Sequence, residues 1–487
     1  MRTCTRRAAI ALAGLLAVGV AWLAWRPPEL LRVAAGYSAK IVCSNVFLAG
    51  RDPAQVLALD VQAPGHPLLR LMRVRVDRDA RTVRAGLFGF VGDGLAVARD
   101  GTGCAAVPDG DLARARAHAV ALPPAPARPA APWPQGDQVQ IDPALVALVA
   151  DPLLAGPGMR ALLVVHRGRI VAERYGDGFD AATPLLGWSM TKTVNAALVG
   201  TAVDAGRLDP DRGGLQAQWA GDARREISTT QLLAMASGLA FDESYGSVSD
   251  ATRMLYLQPD MAAFAAAQPL AHPPGTYFSY ASGSAVLLAQ RWQRAIGTDA
   301  LAWPQRALFG PLGMSSAVLE ADARGSFVGS SYLYANARDW ARFALLLLRG
   351  GQWDGRQLLS RGWVERMFAP SAAAPTEYSR GQMWLHGPAD RSPGAAADAP
   401  ADAGFTLPAD TRWMIGHDGQ TIALLPSREL AVVRLGLTPS RLGYRPQWLL
   451  AELLQVLPAA EPPSRAAAHG DAPVSAPSMR SPVRAAG

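Results

Sequence analysis

A serine and a lysine three residues apart, inside a run that reads as one helix, constrain this chain more than any other feature. LGWSMTKTVNAALVGTAVDAG, from Leu186 to Gly206, is rich in Ala and Leu between Thr193 and Val203. Gly206 stands where such a helix would stop. If Ser189 opens the helix, Lys192 lies one turn further on and its amine reaches the serine hydroxyl. An amine so placed can accept the hydroxyl proton and turn a weak alcohol into a nucleophile. Ser-x-x-Lys is common by chance, but the basic residues sharpen it. Lys and Arg total 47, and only Lys40 and Lys192 are lysines. Arginine stays protonated near neutral pH, whereas a desolvated lysine can lose its proton. A chain that uses arginine almost wherever plain positive charge will serve has kept a lysine beside Ser189, which points to a neutral amine. The competing reading is a chance lysine on a solvated helix face.

At 487 residues and 50% hydrophobic composition the chain can bury a sizeable core, in about three domains or one large domain with attachments. Its net charge of +7 suits an anionic neighbourhood such as a membrane surface or cell wall. The arginines are spread out, with no dense run and no interleaved aromatics, so nucleic acid is not the expected partner. Arg2, Arg6 and Arg7 precede Ala8–Trp25, 18 uncharged and mostly apolar residues closed by Arg26-Pro27-Pro28. That length is at the lower limit of a membrane span and long for a signal-peptide core. Without a small-x-small cleavage site or a lipobox cysteine, it is expected to be an uncleaved anchor. Its basic start would stay in the cytoplasm, so the remainder would lie in the periplasm, held at the inner membrane. Cys4 would then remain inside, leaving Cys43 and Cys104 to pair in an oxidising compartment. The competing reading is two separate buried thiols. No Cys or His cluster has ligand spacing, so neither metal nor cofactor is expected.

In chain order, residues 1–32 form the cytoplasmic tip and anchor, and 33–110 a small β-rich module. There RLMRVRVD alternates with period two, and TVRAGLFGFVGDGLAVARDGTGCAAV reads as strands broken by glycine turns. Residues 111–136 are a Pro/Ala-rich linker that includes ALPPAPARPAAPW, expected to be extended and semi-rigid. Residues 137–457 form the main domain and 458–487 a disordered tail. Within the main domain, ALLVVHRGRIVAERYG is a hairpin turning at Arg167-Gly168. After the serine helix comes a helix-rich middle, Thr229 to Gly350. WMIGHDGQTIALLPSRELAVVRLGL closes the domain with strands that turn near Pro426 to Glu429. Strands at both ends with helices between imply an α+β domain, its sheet assembled from the domain termini and covered by helices.

Two further stretches carry chemistry. PPGTYFSYASGSAVLLAQ puts Tyr280 after a Pro-Gly turn and before a helix, with Ser282 two residues on. A phenol can shuttle protons, and the Ser282 hydroxyl can bond substrate or Lys192. In Gly416-His417-Asp418-Gly419-Gln420, glycine lets a substrate lie against a strand edge, and the Gln420 N–H can donate to an oxyanion.

Ser-x-x-Lys, Tyr-x-Ser and His-x-Gly, in this order and at wide spacing, resemble the serine hydrolases of the class C β-lactamase and DD-peptidase superfamily. The resemblance runs from about Pro143 to Leu457. It includes the M-x-S-G loop at Met235–Gly238 and YANARDWARFALLLLRGGQWDGRQLLS from Tyr334 to Ser360. Through MASGLAFDESY and GHDGQ the chain looks closest to 6-aminohexanoate-dimer hydrolases and related esterases. The resemblance implies a β-lactamase/transpeptidase-like antiparallel sheet with a helical subdomain. It implies Ser189 as acylated nucleophile, Lys192 as its proton acceptor and Tyr280 as proton carrier to the leaving group. The N–H groups of Ser189 and Gln420 would form the oxyanion hole, beside His417 and Gly419, and Tyr245 would touch substrate. Ser282 stands where the family usually has Asn, and His417 where it often has Lys; both changes argue against efficient β-lactam hydrolysis. The expected function is thus a serine hydrolase acting on a small-molecule amide or ester. A catalytically weak penicillin-binding-like protein recognising cell-wall peptide, or a DD-carboxypeptidase, is the alternative.

Overall fold

The structure, a computed structural model, describes residues 25–457 apart from 64, 124–127 and 397–398, together with residues 14, 19, 22 and 23. Its first full helix, α1 (Glu29–Phe47), is buried at almost every position from Val33 to Val46. An antiparallel meander of four strands follows: β1 (Met72–Asp77), β2 (Thr82–Leu87), β3 (Val91–Arg99) and β4 (Gly103–Ala106). Strand β3 lies hard against α1, where a Cβ at Gly94 would fall 2.2 Å from the Ala35 carbonyl oxygen, so only glycine fits.

The segment 33–110 therefore differs from a free-standing β-rich module in two ways. Its first element is a helix that crosses the division expected at residue 32, and the whole segment is fastened to the main domain. A helix buried all round carries no amphipathic stripe to announce it. The fastening centres on Glu320, which is fully buried. It accepts from Lys40 Nζ at 2.5 Å, Ser44 Oγ at 2.9 Å and the Cys104 N–H at 2.6 Å. A buried carboxylate costs several kcal/mol unless paired, and here a cation and two further donors compensate it. Arg99 donates to the carbonyls of Ala321 and Asp322, at 2.5 and 2.8 Å. Cys43 and Cys104 form a disulfide, Cα–Cα 6.1 Å, which ties α1 to β4. The linker is held too: Arg128 bonds Asp339, the carbonyls of Pro134 and Gly136 accept from Arg342, and Trp133 is buried.

The main domain opens with the hairpin β5 (Met159–His166) and β6 (Arg169–Tyr175). Both residues of its turn, Arg167 and Gly168, have positive φ, the geometry that matches strand twist. Then come α2 (Thr191–Asp204), α3 (Ser282–Ile296) and α4 (Ala337–Leu348). The domain closes with β7 (Arg412–Gly416), β8 (Gln420–Leu425), β9 (Leu430–Gly436) and α5 (Gln447–Val456). The five-stranded antiparallel sheet has the order β7-β8-β9-β5-β6, so strands from the two ends of the domain meet at β9 and β5. Alternation sorts its side chains onto two buried faces. Leu163, Val165, Ile422 and Val433 join the central core with α2 and α4. Leu162, Val164, Ala423 and Val432 pack under α5 and the helix Pro143–Ala150.

Among the described residues no helix is long and apolar enough to cross a membrane. The expected anchor, Ala8–Trp25, lies almost entirely outside the described residues, and the expected tail, 458–487, wholly outside them.

Candidate active site

Helix α2 runs through the core, with every residue from Thr191 to Ala202 buried. Its polar side chains are satisfied by other elements: Thr193 by the Gln382 carbonyl at 2.9 Å, and Asn195 by the Ala285 carbonyl and the Trp292 indole, both at 2.9 Å. A single 3₁₀ turn, Trp188–Met190, precedes the helix and carries Ser189. Trp188 sits at φ +47°, a left-handed conformation costing a bulky residue about 1–3 kcal/mol. Such strain beside Ser189 persists only where the surroundings enforce it. Here Gly187 lies under the Trp340 ring, and the edge of β7 presses on the same turn. A Cβ at Gly416 would fall 2.2 Å from the Gly187 carbonyl oxygen, so glycine lets the His417–Gly419 turn approach the serine.

Lys192 is fully buried. Its Nζ is within hydrogen-bond distance of Ser189 Oγ at 3.0 Å, Ser282 Oγ at 3.2 Å and the Ser330 carbonyl at 3.0 Å. The serine–lysine bond seen in the spacing therefore exists, and three acceptors on different elements fix the amine. Tyr280 turns its ring face to that amine, 4.7 Å from the centroid, and packs against Trp384 and Tyr378. Its hydroxyl has no hydrogen bond among the described residues.

Ser282 begins α3, and its partner is a residue that the sequence did not single out. Glu243 accepts from the Ser282 N–H at 2.7 Å and from Ser282 Oγ at 2.6 Å. It also accepts from the Tyr245 hydroxyl at 2.9 Å. A carboxylate at a helix N-terminus meets both unpaired N–H groups and the positive end of the helix dipole. The Tyr245 ring is partly exposed, but desolvation of its hydroxyl, and next the Glu243 charge, raise the phenol above its ordinary pKa. Glu243 lies inside MASGLAFDESY, where no spacing rule distinguishes it from a solvated acid.

Ser189 opens on a cavity of about 460 Å³, walled also by Tyr280, Glu243, Tyr245, His417, Gly419, Thr421 and Trp384 among others. His417 is tilted against Tyr245, ring centroids 5.3 Å apart, and edge-on to Trp188 at 5.6 Å. Gln420 is placed differently from the rest. Its side chain is buried and bonds the carbonyls of His417 and Gly436 and the Gly436 N–H, locking the turn. It borders a separate void of about 30 Å³ beside Trp188 and Asp418. No group of His, Cys, Asp and Glu among the described residues could hold a metal ion. The arrangement offers a hydroxyl, a buried amine and a roomy cleft, the groups that acyl transfer needs.

The beta-lactamase family profile matches residues 146–455. A 6-aminohexanoate-dimer hydrolase of Paenarthrobacter ureafaciens is 26% identical over 226 residues, which cover 43% of this chain and 57% of that protein. The chain thus spans little more than half the length of this relative. Among solved structures, a Bacillus anthracis protein put forward as a 6-aminohexanoate-dimer hydrolase is similar with TM-score 0.51 and 22% identity, over 62% of this chain and 81% of its own. A Bacteroides dorei protein put forward as a β-lactamase matches with TM-score 0.49 and 21% identity, over 64% of this chain and 97% of its own. At 22% identity the Bacillus anthracis likeness speaks for the fold alone.

Proposed function

The chain belongs to the beta-lactamase family, and from that premise we propose that it cleaves an amide or ester bond through an acyl-enzyme on Ser189. The family supports a serine hydrolase in general terms, and the residue roles are our reading. The observation that carries them is the 3.0 Å contact between Ser189 Oγ and the fully buried Lys192 amine. In its neutral form that amine accepts the serine proton as Oγ attacks the acyl carbon. The leaving alcohol or amine then takes a proton, with Tyr280 at the cleft wall as its carrier. The N–H groups of Ser189 and Gln420 are the proposed oxyanion donors. Water enters, the proton path reverses, and the acid departs with Ser189 restored.

Ser282, held by Glu243, positions the Lys192 amine rather than the substrate. An apolar N-terminal segment led by arginines supports a protein anchored at the inner membrane with its catalytic domain in the periplasm. A fluorophosphonate probe tests the nucleophile: wild type should be labelled and Ser189→Ala should not. Equal labelling of both would remove Ser189 from the mechanism.

A further inference from the structure

A second cavity, of about 420 Å³, lies on the other side of the aromatic wall that bounds the nucleophile cleft. Trp188, Tyr245 and His417 line both spaces. Ser189 and Tyr280 face only the first, whose far side carries Glu377, His386 and Arg391. The second is floored by Leu30, Val33 and Ala34 of α1, with Leu68 and Leu69 beside them. These five residues precede the family match, which begins at residue 146, so the apolar half is built by this chain's own N-terminal segment.

We infer that this second cavity receives the acyl chain of the substrate, so that the enzyme prefers esters or amides of medium-length aliphatic acids. The inference rests on the Ser189 reading and adds the substrate class. A volume of about 420 Å³ lies within the roughly 300–1,000 Å³ of sites for small organic ligands. Charged groups line both spaces, Asp418 and Arg441 in the second and Glu377 and Arg391 in the first, but the aliphatic floor of Leu30, Val33, Leu68 and Leu69 belongs to the second alone. A leaving alcohol or amine must reach water, and the cleft without that floor suits its exit. The acyl chain stays through both acylation and deacylation, and burial beside Leu30, Val33 and Leu68 lowers the free energy of both transition states relative to free substrate. The partition is the natural crossing: Trp188 adjoins the nucleophile in sequence, Tyr245 is 40% exposed, and the His417 side chain is 45% exposed.

The test is kcat/KM of the full chain for p-nitrophenyl esters from acetate to decanoate. Each buried methylene is worth about fourfold, so butyrate to octanoate has a ceiling of about 200-fold, and a rise of at least about tenfold is expected. A flat or falling profile overturns the inference. Leu30→Trp and Leu68→Trp, which fill the cavity from two positions, should lower the octanoate-to-acetate ratio at least about tenfold; an unchanged ratio in both also overturns it. A second series, alkyl butyrates of increasing alcohol length, should show no such rise, and a steeper dependence on the alcohol would assign the cavity to the leaving group instead. Failure of the Ser189 reading looks different: no ester of any length would turn over and the probe would not label the protein.

Discussion

Replacing Lys192 by arginine keeps the charge and removes the chemistry. The lysine is fully buried, and its nitrogen lies 3.0 Å from Ser189 Oγ, 3.2 Å from Ser282 Oγ and 3.0 Å from the Ser330 carbonyl. A guanidinium is larger and planar, and packing one into this filled space costs about 1–3 kcal/mol in displaced neighbours. It also cannot accept a proton near neutral pH. Loss of a positioned general base removes about 10²- to 10⁴-fold in rate. Lys192→Ala loses the same base and leaves the Ser330 carbonyl without its donor, worth about 1–3 kcal/mol of stability. Both variants should therefore fall by about 10²-fold or more in kcat/KM for p-nitrophenyl butyrate, within about tenfold of each other. Melting curves run alongside separate unfolding from lost chemistry. If folded Lys192→Arg keeps more than about a tenth of wild-type activity, Lys192 acts through its charge and another group is the base.

Glu243→Gln keeps size but loses an acceptor, so at least one of the three donors from Ser282 and Tyr245 is stranded; kcat/KM should drop about 10- to 100-fold, and wild-type activity would show the clamp to be dispensable. Removing the Cys43–Cys104 bond, which spans 61 residues, with paired Cys→Ala changes should lower unfolding stability by about 4 kcal/mol on the chain-entropy model, measured by urea titration. An unchanged midpoint would mean that the Glu320 cluster already restrains the same ends. For nitrocefin, kcat/KM should stay below that for p-nitrophenyl butyrate, because Ser282 is buried with its hydroxyl spent on Lys192 and Glu243, so no side-chain amide is offered there, and the cleft wall carries His417 and the Glu243 carboxylate. If nitrocefin is the better substrate, these departures do not set the preference.

What could be read from the order of residues alone was whatever one turn of backbone decides. The reach from Ser189 to Lys192 is a property of neighbouring residues, as are the turn at Arg167-Gly168 and the period-two run of β1. The α+β order followed from the same local periods. Lysine scarcity carried information too, but tertiary structure changed its meaning. Both lysines are buried, and Lys40 answers the Glu320 charge, far in role from the contact that Lys192 makes with Ser189. The rest required the folded chain. Glu243 meets Ser282 across 39 residues and Lys40 meets Glu320 across 280. Contacts at such separations leave no spacing to read, since each depends on where whole elements come to rest. For the same reason the N-terminal segment read as a module set apart. Only packing reveals that α1 is a wall of the second cavity, because a helix buried on every side writes no stripe into its sequence.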